Sequence, residues 1–244
     1  MRIDKRAYDA VLFDLDGVLT ATARLHAACW KRLFDDFLEQ RAADLGEPFR
    51  PFDERQDYLA YVDGKPRYDG VRSFLASRGI AMDFGQPSDP PGDASMCALG
   101  NRKDALFDDR LRADGVETFD GAVRFATHMR LRKLNTAVVS SSRHCQAILD
   151  RAQLTPLFDV VVDGQVAENE GLTGKPAPDT FLLAARKLSV EPKRAVVVED
   201  AIAGVQAGQA GGFGLVIGVD NLGQPERLKS NGATIVVADL AELL

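Results

Sequence analysis

The chain has 244 residues, 45% of them hydrophobic and 27% charged, a globular balance that excludes disorder as a description of the whole. Lys and Arg number 30 against 36 Asp and Glu, a formal net charge of −6, so no global basic field exists to hold nucleic acid or an anionic membrane. An anionic substrate must be met by a local cationic site.

Met1 to Asp9 lacks the apolar stretch of a signal peptide, and no apolar run approaches the roughly 18 residues of a membrane helix. Cys29, Cys97 and Cys145 show no C-x-x-C spacing, against both a disulfide frame and a zinc site. The expectation is a soluble, cytoplasmic protein.

The first element is Ala10-Val-Leu-Phe-Asp14-Leu-Asp16-Gly17, an apolar run that ends in acids and a glycine, as a buried strand does on entering a turn. From about Ala23 to Asp114 no strand is evident. Helical stretches take its place at Arg24 to Leu45, Asp53 to Tyr61, Tyr68 to Ser77 and Ala94 to Arg112, with a loop at Gly85 to Gly92. Strand-like runs then resume at Thr136 to Ser140, Val160 to Asp163, Ala195 to Asp200, Leu215 to Val219 and Thr234 to Val237. They alternate with helix-period segments at Arg143 to Ala152, Asp179 to Leu188, Ile202 to Ala210 and Glu226 to Ser230.

Continuous β-branched strands alternating with helices imply an α/β fold, a doubly wound parallel sheet with a Rossmann-like core. The expected division is 1–22 with 115–244 as core and 23–114 as a helical insert after the first strand. Ligands of such sheets bind at the carboxyl ends of the strands, so an insert leaving the first of those ends reads as a lid.

Four patches fall at those ends. Asp14 and Asp16 share one side of an extended chain; they suit a turn, or a Mg²⁺ site in which one carboxylate is a nucleophile and the other carries a proton. Ser140-Ser141-Ser142-Arg143 opens a helix, either as simple capping or as an anion site. Lys175 stands between Gly174 and Pro176, either solvated or rigidly presented. Glu199 and Asp200 form a second acidic pair, which ordinary helix-dipole contacts also explain. His26 and Trp30 lie one helical turn apart and suit either lid packing or a ligand contact. His128 reads as structural, and Cys145 lacks a base to activate it.

Taken in order, Asp14-x-Asp16-Gly-x-x-Thr20, a strand-end Ser140, Lys175-Pro176 and Glu199-Asp200 resemble the four motifs of the haloacid dehalogenase superfamily. His26, Trp30, Gly64-x-x-Arg67 and Asn101-Arg-Lys103 add a resemblance to its β-phosphoglucomutase-like branch, of actinobacterial type.

That resemblance implies a helical cap and a phosphomutase that interconverts β-D-glucose 1-phosphate and glucose 6-phosphate through an aspartyl phosphate. A sugar-phosphate phosphatase is the alternative, and a non-catalytic sugar-phosphate-binding regulator a more distant one. It implies Asp14 as nucleophile and Asp16 as general acid/base. Mg²⁺ would be held by Asp14, the Asp16 carbonyl and Asp200, with Glu199 close by. Ser140, Ser141 and Lys175 would surround the transferred phosphate. Arg67, Ser142, Arg143 and His144 would hold the other, while His26, Lys103 and Thr22 would line the substrate site.

The implied partners are small-molecule sugar phosphates, for a monomer that needs neither nucleic acid nor membrane. Ala21, His144 and Asp104 depart from the pattern, the first at the junction of core and cap and the other two among the substrate contacts.

Overall fold

Short runs of β-branched and other apolar residues form six strands, and all of them pair in parallel. In the computed structural model, which describes residues 3–244, they are β1 (Ala10–Phe13), β2 (Asn135–Val139), β3 (Val160–Val162), β4 (Ala195–Glu199), β5 (Leu215–Val219) and β6 (Ile235–Val237). Met1 and Arg2, the start of the segment read for a signal peptide, lie outside that range. The sheet order is β3-β2-β1-β4-β5-β6. The chain runs outward from β1 in one direction through β2 and β3, then in the other through β4, β5 and β6. The strand order therefore switches at β1, the place where open parallel sheets bind ligands.

The helices are α1 (Thr22–Leu45), α2 (Arg67–Ser77), α3 (Met96–Asp114), α4 (Asp120–Leu131), α5 (Cys145–Arg151), α6 (Gly164–Asn169), α7 (Asp179–Lys187), α8 (Ile202–Ala210) and α9 (Pro225–Lys229). Tyr58–Val62 forms one π-helical turn where an ordinary helix over Asp53 to Tyr61 is expected. Helix α6 is not apparent in the sequence. It spans six residues and begins because the Asp163 side chain accepts a hydrogen bond from Val166 N at 2.8 Å.

The chain forms two compact units, one of residues up to Ala21 with Val116–Leu244, the other Thr22–Gly115. The first holds the sheet. Its core includes Leu12, Val139, Phe181, Val197, Val205 and Val216, each at most 2% exposed. β1 and its neighbour β4 are buried along their whole length, and β2 is buried from Thr136 onward, which is why they read as apolar runs rather than alternating ones.

The second unit has its own core of Trp30, Leu33, Phe34, Phe52, Phe74, Leu75 and Leu99. Phe34 stacks on Trp30 at 5.2 Å and on Phe52 at 5.3 Å, and meets Phe74 at 4.0 Å. Full burial of a side chain of this size contributes about 1.5–3 kcal/mol. Among the described residues no helix is long and apolar enough to cross a membrane.

Candidate active site

Strand register brings distant parts of the sequence to one rim. Phe13 lies opposite Val138 of β2 and Val198 of β4, so the residues that follow converge: Asp14, Ser140, Glu199 and Asp200. Asp14 N still donates to Val198 O at 2.9 Å, but β1 ends at Phe13. The extended geometry expected through Asp16 gives way to a turn, in which Leu19 N and Thr20 N donate to Leu15 O and Gly17 N donates to Thr20 O.

Asp14 is 6% exposed and its carboxylate is ion-paired with Lys175. Lys175 is 3% exposed, so the sequence's solvated alternative is excluded. Its ammonium donates to Asp14 and to Val139 O at 3.0 Å, and forms an ion pair with Glu199 Oε1 at 2.5 Å. The Phe181 ring lies beneath it, 5.0 Å away. Glu199 is 1% exposed and also accepts from Ala201 N at 3.3 Å. A Cβ on Gly204 would lie 1.8 Å from Glu199 Oε1, so α8 must present a glycine there.

One oxygen from each of Asp14, Glu199 and Asp200 lies within 4.8 Å of the others. These are hard donors of the kind that suit a divalent cation. The Asp16 carboxylate is not part of that trio. Burial pushes the Asp14 carboxyl well above its usual range; Lys175 opposes this, while Glu199 and Asp16 add to it. Burial alone would lower the Lys175 ammonium, but Asp14 and Glu199 outweigh it and raise its pKa. Several carboxylates facing one lysine leave an excess of negative charge, and a bound cation relieves it.

Asp16 is half-buried, and Ser140 Oγ donates to its Oδ2 at 3.3 Å. The Ser140 hydroxyl, 2% exposed, also accepts from Ser142 N at 3.0 Å, and Ser142 Oγ accepts from His144 N at 3.2 Å. These are local turn bonds, the capping chemistry of a serine-rich junction, and they aim the Ser140 hydroxyl at Asp16. Arg143 is turned toward α6, where its Nε donates to Gln165 Oε1 at 3.0 Å and lies 3.7 Å from Glu168. Cys145 is fully buried; burial first, then the nearby acids, raise its thiol pKa and leave it inert. His128 accepts a bond from Arg132 Nε at 2.6 Å on α4.

The helical unit carries the other expected residues. Lys103, 3% exposed, places Nζ 2.5 Å from His26 Nδ1, over the rings of Phe107 (4.8 Å) and Trp30 (5.4 Å). His26 stacks on Phe107 at 4.1 Å. Thr22 opens α1 and is 4% exposed. Arg67 opens α2 and is ion-paired with Asp104 at 2.5 Å; it also donates to Tyr68 Oη at 2.6 Å and Asn101 Oδ1 at 3.1 Å. The Asp104 pairing is not evident in the sequence. Asn221 is likewise absent from the sequence reading, because an asparagine in a loop after a strand carries no distinguishing signal. Its amide donates to Gly17 O at 2.7 Å and to Asp200 Oδ2 at 3.2 Å.

A parallel sheet with an acid trio and a buried lysine at its switch point, together with an inserted helical unit, defines a class of phosphoryl-transfer fold. Residues 8–212 match the haloacid dehalogenase-like hydrolase family, and the chain belongs to that family. It is 48% identical over 238 residues to the β-phosphoglucomutase of Mycobacterium tuberculosis (strain CDC 1551 / Oshkosh), a match that covers 96% of this chain and 91% of that one. Against the β-phosphoglucomutase of Bacillus subtilis (strain 168) the identity is 30% over 234 residues, covering 96% and 91%. The crystal structure of β-phosphoglucomutase from Clostridium difficile shares the fold, with a TM-score of 0.75 at 22% identity over 97% of this chain and 93% of that one.

Proposed function

We propose that this enzyme is a phosphomutase that interconverts β-D-glucose 1-phosphate and glucose 6-phosphate. The 48% identity to a β-phosphoglucomutase over nearly the whole chain favours this reading over a phosphatase.

In the proposed cycle the phosphorylated Asp14 passes its phosphoryl group to the 6-hydroxyl of β-glucose 1-phosphate, and Asp16 takes the proton of that hydroxyl. The resulting glucose 1,6-bisphosphate then presents its 1-phosphate. Asp14 attacks the phosphorus, the bond from phosphorus to the C1 oxygen breaks, and Asp16 returns the proton to that oxygen. Glucose 6-phosphate leaves and Asp14 is again phosphorylated. Support for Asp16 in this role is that its carboxylate lies outside the acid trio and is oriented by Ser140.

Lys175 holds Asp14 in place and, with the Ser140 hydroxyl and Ser141 N–H, faces the charge on the moving phosphoryl oxygens. Asp14, Asp200 and the Asp16 carbonyl would hold Mg²⁺, with Glu199 beside it; when bound, the ion neutralises charge on the phosphoryl oxygens. Arg67, His26, Lys103 and Thr22 of the cap, with Ser142, Arg143 and His144, serve the remainder of the substrate. The protein works as a cytoplasmic monomer on small-molecule sugar phosphates, without nucleic acid or membrane; the net charge of −6 is in keeping with that.

The test supplies purified protein with Mg²⁺, β-glucose 1-phosphate and a trace of glucose 1,6-bisphosphate, and follows glucose 6-phosphate and free phosphate together. Glucose 6-phosphate forming far faster than phosphate is the expected result. Phosphate as the main product would replace the mutase reading with the phosphatase.

A further inference from the structure

Asn221 lies just beyond β5 in a turn pinned on both sides. Asp220 N donates to Val237 O at 2.8 Å, and the Asp220 carboxylate accepts from Leu222 N at 3.1 Å and Gln224 N at 3.0 Å. From that fixed turn the Asn221 amide nitrogen reaches Gly17 O at 2.7 Å and Asp200 Oδ2 at 3.2 Å. A carbonyl and an ionised carboxylate can only accept, so both bonds require the NH₂ end of the amide to face them. Gly17 and Asp200 are themselves in close contact. Gly17 has φ +90°, and a Cβ there would lie 1.9 Å from Asp200 Oδ2, so the loop after Asp16 and the Asp200 carboxylate occupy adjoining space with no room between them.

We infer that Asn221 is a positioning residue for the cation site: its amide ties the Asp200 carboxylate to the loop that carries Asp14 and Asp16. This rests on the reading of Asp14, Glu199 and Asp200 as the residues that hold Mg²⁺. A neutral amide suits the task. It fixes the plane of the Asp200 carboxylate through one oxygen, whereas a lysine or arginine at this position would neutralise the charge the cation needs. It also joins its own turn to the Gly17 loop, 204 residues away in sequence, so three separate loops keep a common register around the acids.

The test is Asn221→Ala, with Mg²⁺ alone as the probe. Three quantities are measured: Mg²⁺ affinity by calorimetry, melting temperature without metal, and turnover as Mg²⁺ is raised. Removal of a group that orients a metal ligand weakens binding on the order of 10- to 100-fold. The expected result is a loss of that size, an unchanged metal-free melting temperature, and turnover that recovers at high Mg²⁺. Unchanged affinity overturns the inference. So does a loss of affinity that comes with an equal loss of metal-free stability, since Asn221 would then be a strut for the loop and nothing more. An unmodified protein that binds no Mg²⁺ overturns the reading of the acid trio itself, and the inference with it.

Discussion

The two units hold their cations in opposite ways. At the sheet rim Lys175 is outnumbered: Asp14 and Glu199 both contact it, and Asp200 lies within 4.8 Å of those acids. In the helical unit Arg67 is paired one to one with Asp104, and Lys103 is set against His26 and two aromatic rings. A surplus of buried negative charge is relieved by a proton or by a cation, so the rim acids suit a cation site. A cation already matched by its own unit has a structural duty as well. Substitutions at the rim should therefore strike turnover, whereas those in the helical unit should divide their effect between ligand binding and stability.

Asp14→Asn offers the sharpest contrast. The amide fills the same space and leaves Lys175 its contact with Glu199, but it is a poor nucleophile. Turnover should vanish while the melting curve stays close to that of the unmodified enzyme. Activity within about tenfold of normal would remove Asp14 from the chemistry.

Asp16→Asn should lower turnover on sugar phosphates by a factor on the order of 10²–10⁴, the usual worth of positioned proton transfer. An activated aryl phosphate needs less help at its leaving group and should lose much less. Equal losses on both substrates would show that Asp16 has another role.

Lys175→Met tests whether the rim tolerates its own charge. The loss of one partner from a buried ion pair typically destabilises by about 3–5 kcal/mol, and the loss of a donor to phosphoryl oxygens costs a factor of about 10²–10³ in rate. Both should be seen in urea unfolding and in steady-state rates. A variant as stable as the unmodified enzyme would contradict the charge imbalance.

Arg67→Ala is expected to have the smallest effect on rate. Loss of a charge-assisted contact to a second phosphate is worth roughly 1.5–3 kcal/mol, or about ten- to a hundredfold, on glucose 1,6-bisphosphate turnover. Hydrolysis of acetyl phosphate, which has no second phosphate, should change little. Because the ion pair between Arg67 and Asp104 would be lost, a small fall in melting temperature should accompany it. An equal fall in both activities would assign Arg67 to the integrity of the helical unit alone.

The sheet is legible because parallel strands buried on both faces are short runs of Val, Ile, Leu and Ala, and the sequence holds six such runs. The rim acids were legible for a related reason: each closes one of those runs. What was hidden depends on contacts between distant segments. Lys175 meets Asp14 across 161 residues, and its burial could not be read from a Pro-flanked loop. Arg67 and Asp104 are 37 residues apart and meet only because α2 and α3 pack together. Helix α6 is too short to show an apolar period, and its start depends on one capping carboxylate. The turn after Phe13 could not be told from continued strand, since Asp-Leu-Asp-Gly suits either geometry.

The most direct measurement concerns Asp14 itself. The enzyme with Mg²⁺ is mixed with glucose 1,6-bisphosphate, quenched in acid within milliseconds, digested and mapped by mass spectrometry. The expected result is a phosphoryl group on the peptide that carries Asp14, formed within milliseconds of mixing and absent from Asp14→Asn. A phosphoryl group on another residue, or turnover with no phosphorylated enzyme at any time, would contradict Asp14 as the nucleophile.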